Sequence, residues 1–337
     1  MHEKYIKRCI ELAKLGAGYV SPNPMVGSVI VYNHKIIGEG YHAKYGQPHA
    51  EVNAIESVEN KSLIKDSTLY VSLEPCTHFG KTPPCAYRII DDGIKDVVIG
   101  IGDPNSIVAG KGIERLKNAG INVSTNILKD ECYDLNKRFF TFHQKKRPYI
   151  ILKWAQSNDG FIAPLNKHKK QISNTESNLL VHKWRSEEQA VMVGIGTVIN
   201  DNPLLTVRDW NGKNPIRVLY DPELASNQSM NIYNQDSFSL IFNNHKSEVN
   251  HNFEFIKLDS IDSTIKKIMT ELYNRNIISV LIEGGAGIFN KVISENMWDE
   301  ARVFISEENM SEGIKSPRLS ELKLIEKTSL NNNQLIY

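Results

Sequence analysis

His49, Glu51, Cys76 and Cys85 are residues whose types and order could hold and use a metal ion. They stand in the segments PHAEVNAIESV and EPCTHFGKTPPC. One imidazole and two thiols are ligands of the kind zinc favours. Three protein ligands leave a fourth position for water, which a catalytic site needs and a structural site fills. Glu51 lies two residues after His49, near a presumed helix start. Its carboxylate can face that water without coordinating, take its proton and deliver it to a leaving amine. H-x-E followed by P-C-x-x-C is a zinc-deaminase signature. Here the pattern is H-A-E, then P-C with eight residues between the two cysteines. The wider gap is harmless if both thiolates reach the ion. Two competing readings stand beside this one: unrelated side chains, or a structural zinc completed by His42 or His78. The glutamate at that spacing and Pro75 before Cys76 favour catalysis.

A second set of residues lies further on. IEGGAGIFN places Glu283, Gly284, Gly285 and Gly287 between a strand pattern and a helix pattern, and GIGTVINDNP follows the apolar run AVMV. Glycines at such turns let backbone amides approach a phosphate at a helix start. Each turn alone is as easily a plain turn. Neither is a G-x-G-x-x-G, and no P-loop lysine follows. Two in one domain point to a dinucleotide.

The elements that must position these residues alternate. In the first part, Ile6, Ile10, Leu12, Ala13 and Leu15 recur at helical spacing. SVIVYNHKIIGEGY predicts a hairpin around Asn33-His34, and PHAEVNAIESV predicts a helix from Pro48. STLYVSLEPC predicts a strand, TPPCAYRIIDDGI a helix, KDVVIGIGDPN a strand, and GKGIERLKNAGINVS a helix then a strand. The basic QKKRP stretch, near 143–148, is the expected linker. Beyond it YIILKWA, AVMVGIG, IRVLYD, FSLIFN, ISVLIEGG and EARVFIS predict strands. DSTIKKIMTELYNRN and GIFNKVISENM predict helices. Such alternation indicates two α/β layers, a first domain over 1–145 and a second over 146–337.

Bulk properties narrow the partners. The chain has 337 residues, 40 Lys plus Arg against 39 Asp plus Glu, and a formal net charge of +1. That balance argues against a nucleic-acid or membrane binder, while a few placed cations suffice for a small anionic substrate. The N-terminus is charged and lacks the apolar core of a signal peptide. No run reaches the ~18 apolar residues of a membrane span, and four cysteines make a disulfide scaffold unexpected. A cytoplasmic enzyme with reduced thiols is the expectation.

SPNPMVGSVIV, GEGYHAKYGQPHAEVNAI, SLEPCTHFGKTPPC and GIGDPN with AGKGIERLKNAGI resemble the deaminase half of the bifunctional riboflavin-biosynthesis deaminase/reductase family. LKWAQSNDGFIA, VGIGTVINDNPLLTVR and LIEGGAGIFN resemble its reductase half. The resemblance implies a cytidine-deaminase-like three-layer domain followed by a dihydrofolate-reductase-like domain. It implies zinc on His49, Cys76 and Cys85, with Glu51 as proton shuttle. The substrate is then 2,5-diamino-6-ribosylamino-4(3H)-pyrimidinone 5′-phosphate, deaminated first and afterwards reduced by NADPH at C1′ of its ribosyl group. Asn23 and Lys81 become substrate contacts, although Asn23 also suits a plain turn before proline and Lys81 a solvated loop. In the second domain the resemblance implies cofactor contacts at Ala155, Thr197, Asp201, Gly285, Ala286, Gly287, Ile288, Phe289, Asn290 and Lys291. It implies substrate contacts at Lys153, Arg185, Leu205, Arg208 and Glu283. Arginines suit a phosphate; a strand-end Lys153, a turn-capping Asp201 and a solvated Arg208 are the competing readings. It also implies a homodimer formed through the reductase domains.

Two departures from the family pattern stand out. Gln171 takes the place of an aromatic near the nicotinamide, and the end of the chain lacks the strand and turn expected after ARVFIS. They keep open a deaminase whose second domain no longer reduces. The other rivals are a nucleic-acid base deaminase with a binding domain, and a non-catalytic zinc module joined to a nucleotide-sensing or interaction domain.

Overall fold

Two α/β units, Met1–Lys146 and Arg147–Tyr337, make up the chain. The computed structural model describes residues 1–77, 83–165, 172–259, 263–319 and 324–337.

The first unit runs α1 (His2–Lys14), β1 (Gly27–Tyr32), β2 (Lys35–Tyr41), α2 (Ala50–Glu56), β3 (Thr68–Leu73), α3 (Cys85–Asp91), β4 (Asp96–Ile101), α4 (Lys111–Asn118), β5 (Asn122–Ser124), α5 (Lys129–Leu135) and α6 (Lys137–Lys145). Its sheet has the order β2-β1-β3-β4-β5. The β1 strand pairs antiparallel with β2 and β3, whereas β3, β4 and β5 run parallel. The hairpin turns at Asn33 and His34, both with positive φ, as a two-residue turn requires. Alternation along β1 sends Val29 and Val31 to the face covered by α1, α5 and α6, and Ile30 to the face covered by α2, α3 and α4. Three layers result, with the apolar side chains of both helix layers locked onto one sheet.

The second unit runs β6 (Tyr149–Gln156), β7 (Phe161–Ala163), α7 (Thr175–Glu187), β8 (Ala190–Gly194), α8 (Ile195–Asp201), β9 (Ile216–Tyr220), β10 (Ser239–Asn243), β11 (Glu248–Val249), β12 (Phe253–Lys257), α9 (Thr264–Asn274), β13 (Ser279–Gly284), α10 (Ala286–Ser294), β14 (Glu300–Ser306), β15 (Ile314–Lys315), β16 (Lys327–Leu330) and β17 (Asn333–Ile336). Its main sheet has the order β11-β12-β10-β9-β8-β13-β6-β14-β17-β16. From β12 to β14 the neighbours are parallel. Ile150 and Leu152 pack with α9 and α10 on one face, and Ile151 with α7 on the other. Among the described residues no helix is long and apolar enough to cross a membrane.

Two expectations change, and one helix was not expected. QKKRP is not wholly a linker: α6 continues through Lys145, because buried Phe139 and Phe140 hold that helix against the first core. The strand and turn expected to be missing after ARVFIS are present as β17 and β16. The β17 strand pairs antiparallel with β14, and the hairpin turns at Asn331 with φ 51. Their short, half-exposed runs carry little periodicity. Helix α7 has no clear apolar stripe in the sequence because it buries the polar Ser177, His182 and Ser186 beside Val181 and Trp184.

Candidate active sites

His49 is the N-cap of α2, Glu51 lies in the first turn of that helix, and Cys85 opens α3. Cys76 follows β3 by three residues. His49 Nδ1 lies 3.3 Å from Cys85 Sγ and 3.6 Å from Cys76 Sγ. The three ligand atoms all fall within 4.8 Å of one another. A sulfur and a nitrogen on one tetrahedral zinc are separated by about 3.5 Å, given the usual zinc–ligand bond lengths, so the spacing and the donor set fit that ion. The Cys85 N–H donates to Cys76 Sγ at 3.4 Å. Hydrogen bonding from the Cys85 thiol, and then from His49, holds the Cys76 thiol well below its ordinary range; the same Cys76 contact, with burial, pushes Cys85 up. Cys76 thus gives up its proton ahead of Cys85; as zinc ligands both sulfurs would be thiolates. Burial raises the Glu51 carboxyl, against the opposing charge of His49.

His49, Glu51 and Cys76 sit on a cavity of about 310 Å³ that Asn23, His42, Glu74, Asp103 and Asn105 also line. His42 is buried, its Nδ1 3.1 Å from the Pro48 carbonyl and its Nε2 3.2 Å from Asn23 Nδ2. These partners assign the proton to Nδ1 and make Nε2 the acceptor. Both ring nitrogens are thereby engaged, so His42 is not the fourth ligand of a closed structural site. Burial pushes the Asp103 carboxyl up to about 7.

In the second unit the two glycine-rich turns come together. The β8 and β13 strands are parallel neighbours, so their C-terminal ends deliver α8 and α10 to the same edge of the sheet, where open α/β sheets bind ligands. Gly285 has φ 90, a conformation that side chains resist. A side chain at Gly284 would press on Thr197 Oγ1 at 2.8 Å, whereas Gly196 and Gly287 face open space. The cavity at this edge measures about 1010 Å³. That room, with two glycine turns and the exposed amides of α10, fits a nicotinamide dinucleotide. Beside it, Arg185 Nε and Nη2 donate to the two oxygens of Glu283 at 2.6 and 2.7 Å. Burial alone would raise the Glu283 carboxyl, but Arg185 and Lys153 hold it below its usual range. Burial pulls the Lys153 ammonium down, with Glu283 opposing.

The first 101 residues match the family model described as the cytidine and deoxycytidylate deaminase zinc-binding region, and residues 148–307 match the RibD C-terminal domain. A riboflavin biosynthesis protein RibD of Aquifex aeolicus is 42% identical over 319 residues, which span 93% of this chain and 88% of that protein. The chain belongs to the RibD family. The counterpart in Bacillus amyloliquefaciens is 39% identical over 91% of this chain and 84% of that protein. The crystal structure of the Thermotoga maritima diaminohydroxyphosphoribosylaminopyrimidine deaminase/5-amino-6-(5-phosphoribosylamino)uracil reductase superposes with a TM-score of 0.91. It has 37% identity and covers 99% of this chain and 97% of that one. The RibD of Acinetobacter baumannii gives a TM-score of 0.89 at 31% identity, covering 99% and 97%. The two layered units are thus a cytidine-deaminase-like domain and a RibD C-terminal domain of dihydrofolate-reductase type.

In this member of the RibD family, Asn23, His49, Glu51 and Cys76 line the first cavity, with Cys85 bonded behind them. Lys153, Ala155, Thr197, Asp201, Glu283, Gly285, Ala286, Gly287, Ile288, Phe289 and Lys291 line the second. Asn290 is exposed and is not on that wall. Leu205 is core, packed with Val191, Val193 and Val198. Arg185 stands behind Glu283, and Arg208 reaches the same cluster through Thr206. Lys81, His78 and Gln171 lie outside the described residues. Glu74, Asp103 and Asn105 escaped the sequence reading. EPC and GDPN were visible, but only as a ligand's neighbours and a strand end.

Proposed function

We propose that this chain catalyses two successive steps of riboflavin biosynthesis, with His49, Glu51, Cys76 and Cys85 serving the first and the second cavity serving the other. The substrate is 2,5-diamino-6-ribosylamino-4(3H)-pyrimidinone 5′-phosphate. The observation that carries the reading is the convergence of His49, Cys76 and Cys85 within 4.8 Å, with Glu51 on the same cavity.

In the deamination, zinc on His49, Cys76 and Cys85 supplies a Lewis acid that makes a water acidic near neutral pH. Glu51 accepts a proton and passes it to the departing amine. Its burial favours this, because a carboxyl raised above its usual range holds an accepted proton more readily. Asn23, its amide oriented by His42, offers hydrogen bonds to the pyrimidine edge. In the reduction, NADPH supplies the hydride for C1′ of the ribosyl group. Gly285, Gly287 and the first turn of α10 hold its phosphates, with Thr197 and Asp201 beside them. Lys153, whose ammonium gives up its proton more readily on burial, provides the proton for the sugar oxygen as the ring opens. Glu283 receives ribityl hydroxyls, and Arg185 keeps it ionised. Arg208 holds the phosphate of the substrate.

The balanced charge of the chain supports a small phosphorylated pyrimidine as the partner rather than nucleic acid or membrane. The same reading includes a cytoplasmic homodimer. The test supplies the diamino substrate with and without NADPH and follows both products by mass. Deamination in both arms and reduction only with NADPH are expected. Ammonia release with no reduction in either arm would reduce the second unit to a decayed domain.

A further inference from the structure

Two hydrogen bonds and one histidine–carboxylate contact tie the loop 206–209 to α7. Arg185 Nη1 donates to the Thr206 carbonyl at 3.1 Å. The backbone N–H of Arg208 donates to His182 Nδ1 at 3.2 Å, and the opposite nitrogen, Nε2, lies 3.3 Å from Asp209 Oδ2. Within the loop, Arg208 Nη1 donates to Thr206 Oγ1 at 3.0 Å. His182 is only 5% exposed, and it lies one helical turn before Arg185, on the same side of α7. An Nδ1 that accepts carries no proton, so the hydrogen sits on Nε2 and faces Asp209. The imidazole therefore reads two consecutive loop residues at once, and it does so only when neutral.

We propose that His182 is a positioning residue for the phosphate of the substrate: as neutral imidazole it pins the backbone of Arg208 and so fixes where that guanidinium stands. This rests on the assignment of Arg208 to the phosphate. The route from the cavity is continuous. Glu283 lines it, Arg185 pairs with Glu283 and holds Thr206, and Thr206 orients Arg208. Arg185 is committed to Glu283 on both oxygens, which leaves Arg208 as the arginine available to an anion.

The charged groups facing His182 are Arg185 on its own helix, Arg208 and Asp209 on the loop, and Glu283 on β13. Burial and the two arginines keep the imidazole below its ordinary range, while Asp209 pulls the other way. At neutral pH the acceptor is intact. Protonation sets in only below the ordinary imidazole range of about pH 6.5; it turns Nδ1 into a donor, and the Arg208 N–H loses its partner.

The test measures reductase steady-state constants on the deaminated substrate and on its dephosphorylated form. His182→Asn, His182→Gln, Arg208→Ala and the double variant His182→Gln/Arg208→Ala are compared with the parent. Asparagine places an amide oxygen where Nδ1 stood, and glutamine reaches only the Nε2 position. His182→Gln is expected to raise KM for the phosphorylated substrate about tenfold, the scale of one contact to a charged group, with kcat little changed. It should leave the dephosphorylated form unaffected and add nothing to Arg208→Ala. His182→Asn should keep KM near the parent value and lose the parent's own rise in KM at acid pH. Turnover of the dephosphorylated form, carried by the same unit as the substitutions, reports that each variant is folded. Equal losses on both substrate forms, additivity with Arg208→Ala, or equal behaviour of the Asn and Gln variants would overturn the inference. If Arg208→Ala itself left KM unchanged, the phosphate assignment would fall, and the role of His182 with it.

Discussion

The Glu74 carboxylate lies against the first turn of α4, with Oε1 2.9 Å from the backbone nitrogen of Gly112. The same carboxylate accepts from Ile113 at 3.2 Å and from Gly110 and Asp103 at 3.1 Å each. Four donors that water would otherwise satisfy are thus met by one buried anion at a helix start. Glu74 immediately precedes Pro75 and Cys76, so this contact fixes the strand end that delivers the proposed zinc ligand Cys76.

Gly112→Ala is expected to displace that strand end, because a Cβ there would stand 2.1 Å from the Pro75 carbonyl oxygen. Overpacking of this kind costs about 1–3 kcal/mol. Glu74→Ala should cost at least as much, since each buried donor left unmet is worth roughly 1–3 kcal/mol. Thermal melting, and zinc retained after dialysis against a chelator, are the measurements. Unchanged melting and zinc retention in both variants would show that the helix does not anchor the loop.

Glu51→Gln should slow ammonia release by at least about a hundredfold, the usual weight of a positioned acid–base group, with zinc content unchanged. Cys85→Ser, or removal of the metal, should abolish ammonia release by a different route, with loss of zinc. In both cases reduction of supplied deaminated substrate should continue at its parent rate. Loss of both activities on metal removal would contradict the assignment of separate sites.

The ion pair of Arg185 with Glu283 sets a third expectation. Both side chains are nearly buried, at 11% and 7% exposure. Glu283→Gln leaves the arginine charge without its partner, which for a buried pair costs about 3–5 kcal/mol. The pH dependence follows from the lowered Glu283 value. Its contribution to stability is complete above the ordinary glutamate value of about 4.3 and is lost as pH falls through the lower folded value. Melting temperatures recorded from neutral to acid pH should converge for parent and variant. Parallel curves would place the acid sensitivity elsewhere.

Much of the architecture was legible because its carriers are local. Ile6, Ile10 and Ala13 repeat at the helical period, and Val29, Ile30 and Val31 alternate across a sheet. Asn33-His34 marks a turn that must take positive φ. Helix α7 was not legible, because its buried Ser177, His182 and Ser186 break the apolar pattern. The terminal hairpin β16–β17 was missed since few of its residues are buried. Asp103 and Glu74 became site residues only through their neighbours: a buried carboxylate is expensive by itself, and nothing in GDPN or EPC announces the amides and the cavity that surround it.

By itself the sequence determined the ligand types of the candidate zinc site, the carboxylate two residues after its histidine, and two successive α/β units. Side-chain chemistry and the helix and strand periods are properties of the chain. Only the tertiary structure decided that His49 and Cys85, 36 positions apart, lie 3.3 Å from each other. It also decided that two weak glycine turns face one cavity, and that His42 spends both nitrogens on Asn23 and Pro48. These depend on strand order and helix docking, which bring distant residues together through burial of apolar surface and carry no local mark.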